Sequence, residues 1–213
     1  MPVTWQKADN DFSIVVWKSV EPMNDLLRNA SLNHVEFAEW NSFKSETRKR
    51  EWLTVRNALQ ILVPGANGSS IYYDRNGKPQ LFEEGFISIS HSHEYIALMK
   101  SSKSEIGVDI EIINERIIKL SRKFLNDEEK LDVTTENQLE KLHAMWGAKE
   151  VLYKIHSIGD IDFKKDFFVH PFEYKSPGEL SASILKKGYK KDFKIFFEKT
   201  DQNMLSWAVG DNN

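Results

Sequence analysis

The stretch Ile106–Glu111, IGVDIE, is the one on which the reading of this chain turns. Apolar Ile106, Val108 and Ile110 alternate with Gly107, Asp109 and Glu111, the period-two pattern of a strand with one buried face. The polar positions at its end are both carboxylates. Two residues apart on a strand they point the same way, and like charges side by side weaken a sheet. A charged edge strand facing water accounts for the pair. So does a hard-cation site, in which oxygen ligands at i and i+2 converge on one Mg2+ that binds substrate phosphates through its remaining positions. The stretch alone leaves both readings open.

The flanking sequence sets the architecture. Upstream, residues 12–17, FSIVVW, read as a buried strand. Residues 21–63 read as helical: NDLLRNA starts on an Asn cap at Asn24, and SETRKREWLTVRNALQILV carries Trp52, Val55, Leu59 and Leu62 at helical spacing. That last helix opens at Ser45 and is ended by Pro64 and Gly65. IYYDRNGKPQLF reads as a hairpin about Asn76 and Gly77, and GFISISHS with YIALMKS as the next one. Downstream, residues 117–131 read as helical, with Asn126–Glu129 capping a further helix start. NQLEKLHAMWGAKEVLYKI is a long helix, and DFFVHPFEY, LSASILKKGY, KDFKIFFEKTD and LSWAVGD read as strands. Both halves thus run helices first and antiparallel strands after. This predicts an α+β protein of two similar lobes, residues 1–104 and 105–213.

Composition narrows the chemistry. The 213 residues include no cysteine, which excludes disulfides, thiolate metal sites and a cysteine nucleophile. With 40% hydrophobic and 12% aromatic residues the chain can fill a packed core. A net charge of −3 gives no global basic field, which argues against nucleic acid as a partner. Two clusters are locally basic, Arg48–Arg50 and Lys186–Lys191, and each also reads as a solvated face. The first residues, MPVTWQKADNDF, have no basic-then-apolar leader pattern, and no 18-residue apolar run occurs. A cytoplasmic protein with no membrane segment is expected.

Several side chains then stand out. The long helix carries an apolar stripe of Leu142, Met145, Trp146, Leu152 and Tyr153, and a neighbouring face of His143, Gly147, Glu150 and Lys154. Gly147 costs a helix about 1 kcal/mol relative to Ala, and its bare backbone leaves room beside Glu150 and Lys154. As a plain surface pair, Glu150 and Lys154 would be worth only about 0.3–0.5 kcal/mol. Ser90 and His91, adjacent on a strand, point to opposite faces, which argues against a nucleophilic dyad. A histidine there suits a phosphate hydrogen-bond donor. Lys78 follows the glycine of a hairpin turn, and Arg50 and Arg56 lie on a helix with the side chain best suited to gripping phosphate monoesters.

Taken in order, GVDIE at Gly107–Glu111 and WGAKEVLYK at Trp146–Lys154 resemble the paired signature of the 4′-phosphopantetheinyl transferases, G-[IV]-D-[IV]-E followed by W-x-x-K-E-x-x-x-K. SISHS, NGKP and RKREWL resemble the surfactin-type branch of that family. The resemblance implies two similar α+β lobes with a ligand cleft between them. It implies transfer of the 4′-phosphopantetheine arm of coenzyme A to a serine of an acyl or peptidyl carrier protein, with release of 3′,5′-ADP and a requirement for Mg2+.

By the same resemblance, Asp109, Glu111 and Glu150 are the Mg2+ ligands, Lys154 the pyrophosphate contact, and Glu150 or a water on the metal the base. Lys149 shares the motif but falls nearer the apolar stripe. Ser90 and His91 match the pair that contacts the nucleotide phosphates, Arg50 the 3′-phosphate arginine, and Lys78 and Pro79 the turn beside adenine and ribose. Lys44, Arg48 and Lys49 stay open as further 3′-phosphate contacts. NERIIKLSRKFLNDEE matches the carrier-docking region, with Arg116, Lys119, Arg122 and Lys123 facing an acidic carrier and Ile117, Ile118 and Leu125 adding apolar contact; an ordinary amphipathic helix has the same pattern. A monomer is expected. The alternatives are a Mg2+-dependent hydrolase of a nucleotide pyrophosphate and a non-catalytic coenzyme A-binding module.

Overall fold

The computed structural model describes residues 2–65, 71–82, 85–156, 160–186 and 188–210. Lys187 of the second basic cluster and Asp211 at the end of the last expected strand lie outside the described residues. The chain divides into two compact units, Met1–Ser104 and Glu105–Asn213. Among the described residues no helix is long and apolar enough to cross a membrane.

The first unit runs β1 (Val3–Ala8), β2 (Phe12–Lys18), α1 (Met23–Ala30), α2 (His34–Ser42), α3 (Glu46–Leu62), β3 (Ile71–Tyr73), β4 (Pro79–Leu81), β5 (Phe86–Ser92) and β6 (Tyr95–Ser101). Its antiparallel sheet has the order β1-β2-β6-β5-β4-β3. Val55, Ala58 and Leu59 of α3 pack on Val15, Trp17, Ile87, Ile96 and Leu98. Ser45 caps α3 by accepting from the Arg48 amide at 3.3 Å, as its sequence predicts. Helix α1 starts one residue before Asn24, at Met23, directly after Pro22, and has no side-chain cap. The proline presets the backbone for helix entry, so Asn24 is not the cap. Strand β1 was not expected, because its mostly exposed VTWQKA lacks a buried-strand pattern; it adds to the edge at β2.

The second unit runs β7 (Ile106–Ile112), α4 (Arg116–Phe124), α5 (Asp127–Leu131), α6 (Gln138–His156), β8 (Phe167–Val169), β9 (Gly178–Lys186), β10 (Tyr189–Thr200) and β11 (Asn203–Val209), with sheet order β7-β11-β10-β9-β8. The first and last strands pair, and the intervening strands follow back in sequence. Without β1, the first unit has the same wiring: β2 pairs with β6, and β5, β4 and β3 follow. The two lobes are therefore one α+β pattern used twice, each opening on a strand and not, as the sequence suggested, on a helix. Strand β8 stops at Val169, two residues before Pro171, which has no amide to give a ladder.

Helix α6 is buried on most of its circumference. Leu142, Met145, Ala148, Val151, Leu152 and Ile155 pack on the sheet side chains Phe167, Leu180, Ile195, Phe197, Met204 and Ala208. Tyr153, expected in the apolar stripe, is instead exposed and meets Phe163 at its ring. Gly107 lets β7 run hard against this helix: a Cβ there would come 2.6 Å from the Val151 carbonyl oxygen.

Inside the unit, Lys149 is 0% exposed. Its ammonium donates to the carbonyls of Phe124 (2.7 Å), Phe163 (2.9 Å) and Phe167 (2.9 Å) and meets Glu129 at 2.7 Å. Glu129 closes the capping box of α5 through the Asn126 amide and accepts from the Val169 amide at 2.8 Å. One ion pair thus joins α6, the end of α4, α5 and β8, and every polar atom in it is engaged. Glu129→Ala leaves a buried ammonium without its counter-charge and should cost about 3–5 kcal/mol. In denaturant unfolding the double variant Glu129→Gln/Lys149→Met should lose clearly less than the two single losses combined.

Candidate functional site

Strand β7 lies antiparallel to β11 with Asp109 opposite Ser206 and Glu111 opposite Met204. Met204 belongs to the core under α6, so Asp109 and Glu111 face that helix. Asp109 is buried and Glu111 half-buried. From α6, Lys154 reaches across to donate to the Val108 carbonyl at 2.7 Å and to Asp109 Oδ1 at 2.9 Å. Glu150, one turn earlier, has its carboxyl pushed up to about 7. Burial is the main cause; the negative charge of Asp109 adds to it, Lys154 offsets part, and Glu111 contributes again.

Two carboxylates from a strand and one from a helix therefore share one electrostatic neighbourhood, with the ammonium of Lys154 set among them. Among the described residues no three His, Asp or Glu side chains are gathered as a finished metal cluster. The chemistry of the donor set nevertheless fits a hard divalent cation: all donors are carboxylate oxygens.

Gly147 was expected to leave room in this helix face. The structure fills that room with the chain itself: a Cβ on Gly147 would run into Ser206 Oγ and come within 2.9 Å of its Cβ, and would lie 3.8 Å from Asp109 Oδ2. Ser206 is a residue that sequence reasoning missed. The only trace is a hydroxyl in MLSWAV, at a position whose same-face neighbours Met204 and Ala208 are core. His143, on the same helix face, is buried; its Nδ1 donates to the Leu139 carbonyl at 2.7 Å and its Nε2 accepts from the Asn114 amide at 3.4 Å. Burial holds its pKa below the ordinary value, so it is a neutral, structural imidazole.

In the first unit a cavity of about 190 Å3 is lined by Arg48, Glu51, Arg56, Tyr73, Pro79 and His91 among others. Ser90 and His91 sit on β5 opposite Ala97 and Ile96; Ser90 is buried and His91 exposed, so they do face opposite ways. Lys78 follows a loop stapled by Asp74, whose Oδ1 accepts from the amides of Asn76 (2.8 Å) and Lys78 (3.0 Å), with Gly77 at a φ of 80°. Arg50 does not line the cavity; its Nη1 donates to the carbonyls of Glu21 (2.6 Å) and Ser19 (3.4 Å). Arg48 and Arg56 line it, eight residues apart on one face of α3, whereas Arg50 is turned about 200° from Arg48. Arg56 is buried over the Trp52 ring, 3.5 Å from Glu36, and burial draws its pKa down to about 10.

On α4, Ile118 is exposed, while Ile117 and Leu125 are in the core. Only Ile118 of the three expected apolar contacts is on the surface beside Arg116, Lys119, Arg122 and Lys123.

Residues 105–204, nearly the whole second unit, match the model of the 4′-phosphopantetheinyl transferase superfamily. The chain is 32% identical over 114 residues to the 4′-phosphopantetheinyl transferase AcpT of Escherichia coli (strain K12), covering 50% of this chain and 57% of that protein. It is 27% identical over 139 residues to slr0495 of Synechocystis sp., which is named provisionally for the same activity, covering 59% of this chain and 56% of the relative. The chain thus spans about half the length of the curated relatives it matches.

The raised Glu150 has a consequence for stability. The folded state binds its proton more tightly than the unfolded state does. The stabilisation is therefore complete below the unfolded value of about 4.5 and is lost as pH rises through about 7. In buffer free of divalent cations, Glu150→Gln should match the wild type near pH 4 and exceed it at pH 8 by on the order of 2 kcal/mol. Denaturant titrations at the two pH values check this, and a parallel pH dependence in the two proteins would refute it.

Proposed function

We propose that this chain, whose residues 105–204 match the model of the 4′-phosphopantetheinyl transferase superfamily, transfers the 4′-phosphopantetheine arm of coenzyme A to a serine hydroxyl of a carrier protein. The observation that carries this reading is the meeting of two motifs some forty residues apart: Asp109 on β7 bonded to Lys154 on α6, with Glu150 on the same helix sensing both carboxylates of the strand.

Asp109, Glu111 and Glu150 would hold Mg2+, which when bound supplies positive charge to the pyrophosphate oxygens. Lys154 adds a second positive charge for the same oxygens. Glu150 is the group of this chain placed to take the serine proton. The serine oxygen then forms its bond to the β-phosphorus as the bond from that phosphorus to the bridging oxygen breaks. 3′,5′-ADP leaves with the bridging oxygen. Positioning and charge supply most of the rate in such phosphoryl chemistry.

In the first unit, Arg48 and Arg56 bring two guanidinium groups to a cavity that Glu51, His91 and Pro79 also line, the side chain suited to a phosphate monoester. Arg116, Lys119, Arg122 and Lys123 around the exposed Ile118 suit an acidic carrier surface.

Incubation of an apo carrier protein with coenzyme A, Mg2+ and the enzyme should raise the carrier's mass by one phosphopantetheine and release 3′,5′-ADP. Asp109→Asn and Glu150→Gln should each slow the transfer by about 100-fold or more. Rapid 3′,5′-ADP release with no carrier present would mark a hydrolase instead. Unchanged coenzyme A and carrier across carriers of fatty-acid, polyketide and peptide synthesis would overturn the assignment.

A further inference from the structure

We propose that Glu51 decides which anions the cavity of the first unit accepts: a phosphate monoester with a hydrogen-bond donor beside its phosphate, in preference to a bare anion. The inference rests on the transferase reading above for the identity of that ligand, coenzyme A, whose ribose 3′-phosphate has the 2′-hydroxyl as its neighbour. The guanidiniums of Arg48 and Arg56 line the cavity, but so does the Glu51 carboxylate. The Glu51 side chain is 19% exposed and comes to 4.0 Å from Arg48 Nη1 and 3.9 Å from His91 Nδ1. A carboxylate has about four acceptor sites, and at these separations neither neighbour fills one with a hydrogen bond. Arg56 already has a counter-charge in Glu36, 3.5 Å from its Nε, and the negative charge of Glu39 acts on it as well. Carboxylates thus offset both cations of the lining, and the cavity is not a general trap for anions.

A carboxylate in this place opposes any phosphate that settles against the arginines, because like charges repel at close range. Sulfate or inorganic phosphate meets that repulsion in full. A ligand with a hydroxyl next to its phosphate offsets it by donating to Glu51 in a charge-assisted hydrogen bond. The same side chain then attracts one ligand and repels another, which is how a site gains specificity without gaining affinity for every anion. A site whose polar group is matched by a ligand donor also rejects the analogue that lacks the donor, since the group is then left unpaired. Two arginines alone would grip the phosphate and be blind to what it is attached to. Glu51 makes the cavity read the sugar as well as the phosphate.

Calorimetric titration of the whole chain with 3′,5′-ADP and with its 2′-deoxy analogue, and sulfate competition against 3′,5′-ADP, test this. The wild type should bind 3′,5′-ADP about 10–100-fold more tightly than the deoxy compound. In Glu51→Leu that preference should fall to about 3-fold or less, and sulfate should bind about 10-fold more tightly than to the wild type. Glu51→Gln keeps an acceptor and loses the charge; it should show the same gain for sulfate and an intermediate preference between the nucleotides. Equal binding of the two nucleotides by the wild type would overturn the inference, as would an unchanged preference in Glu51→Leu. Weaker sulfate binding in Glu51→Gln would also overturn it and make Glu51 the residue that holds Arg48 in place. Binding of neither nucleotide ends the role of Glu51 whatever the transfer assay gives. If the wild type modifies a carrier and does not distinguish the nucleotides, only this role fails. If it distinguishes them and modifies no carrier, Glu51 keeps its role and the transferase reading fails.

Discussion

The second unit depends on how closely α6 lies on the β7–β11 edge of its sheet. Two glycines set that distance. Gly107 removes a side chain from the strand where the Val151 carbonyl comes down, and Gly147 removes one from the helix where Ser206 comes up. Each is a poor residue for its element, a helical glycine costing about 1 kcal/mol. What the cost secures is reach. With the helix this close, a four-carbon lysine on α6 spans to a backbone carbonyl and a carboxylate of β7, and a glutamate one turn away feels both strand acids.

Closeness alone does not fix rotation. The residue before Glu150 does. Lys149 points the opposite way, into a shell of three carbonyls and one carboxylate, and a donor with that many acceptors has little freedom to roll. Burial draws the Lys149 pKa down, and Glu129 opposes the shift; without the carboxylate the buried charge would be untenable. Adjacent positions of one motif thus do opposed jobs. Lys149 locks the helix to α4, α5 and β8, and by doing so aims Glu150 at the strand. An ion pair of this kind is weak evidence of net stability, since a hydrophobic substitute often does as well. What a hydrophobic substitute lacks is direction: a hydrogen-bonded ammonium specifies one angular setting of α6.

Much of this was legible in the sequence, and what was not has identifiable causes. Period-two alternation and the caps at Ser45 and Asn126 are local signals, and they placed β5, β6, β7, α3 and α5 correctly. Strand β1 was missed because an edge strand with an exposed face needs no apolar pattern. Pro22 displaced the expected cap at Asn24 because a preset backbone angle outweighs a side-chain preference at the next residue but one. At the site, the facing of Asp109 and Glu111 and the shared face of Glu150 and Lys154 followed from spacing alone. Ser206 did not, because its significance lies in a register partner almost a hundred residues away. Arg48 and Arg56 were within reach: residues eight apart lie on one face of a helix, and that spacing separates them from Arg50. The inward turn of Lys149 was half legible, from its place beside the apolar stripe, but its four partners come from segments that only the fold assembles.

The repeated wiring of the two units bears on how such a protein divides its work. Each has a long helix across a sheet in which, β1 aside, the first and last strands pair, and each gathers polar side chains between that helix and strands of its sheet. The chemistry is opposite in sign. In the first unit α3 contributes Arg48 and Arg56 and the sheet contributes His91; in the second, α6 contributes Glu150 and the sheet Asp109 and Glu111. Clustered cations and clustered carboxylates repel their own kind and would neutralise each other if crowded onto one scaffold. A duplicated fold removes that conflict. Each copy sets mostly one sign of charge beside its helix, with Glu51 among the cations of the first and Lys154 among the carboxylates of the second, tethered by the Val108 carbonyl as well as by Asp109. That second hold limits how tightly the lysine must bind the carboxylate to remain in place.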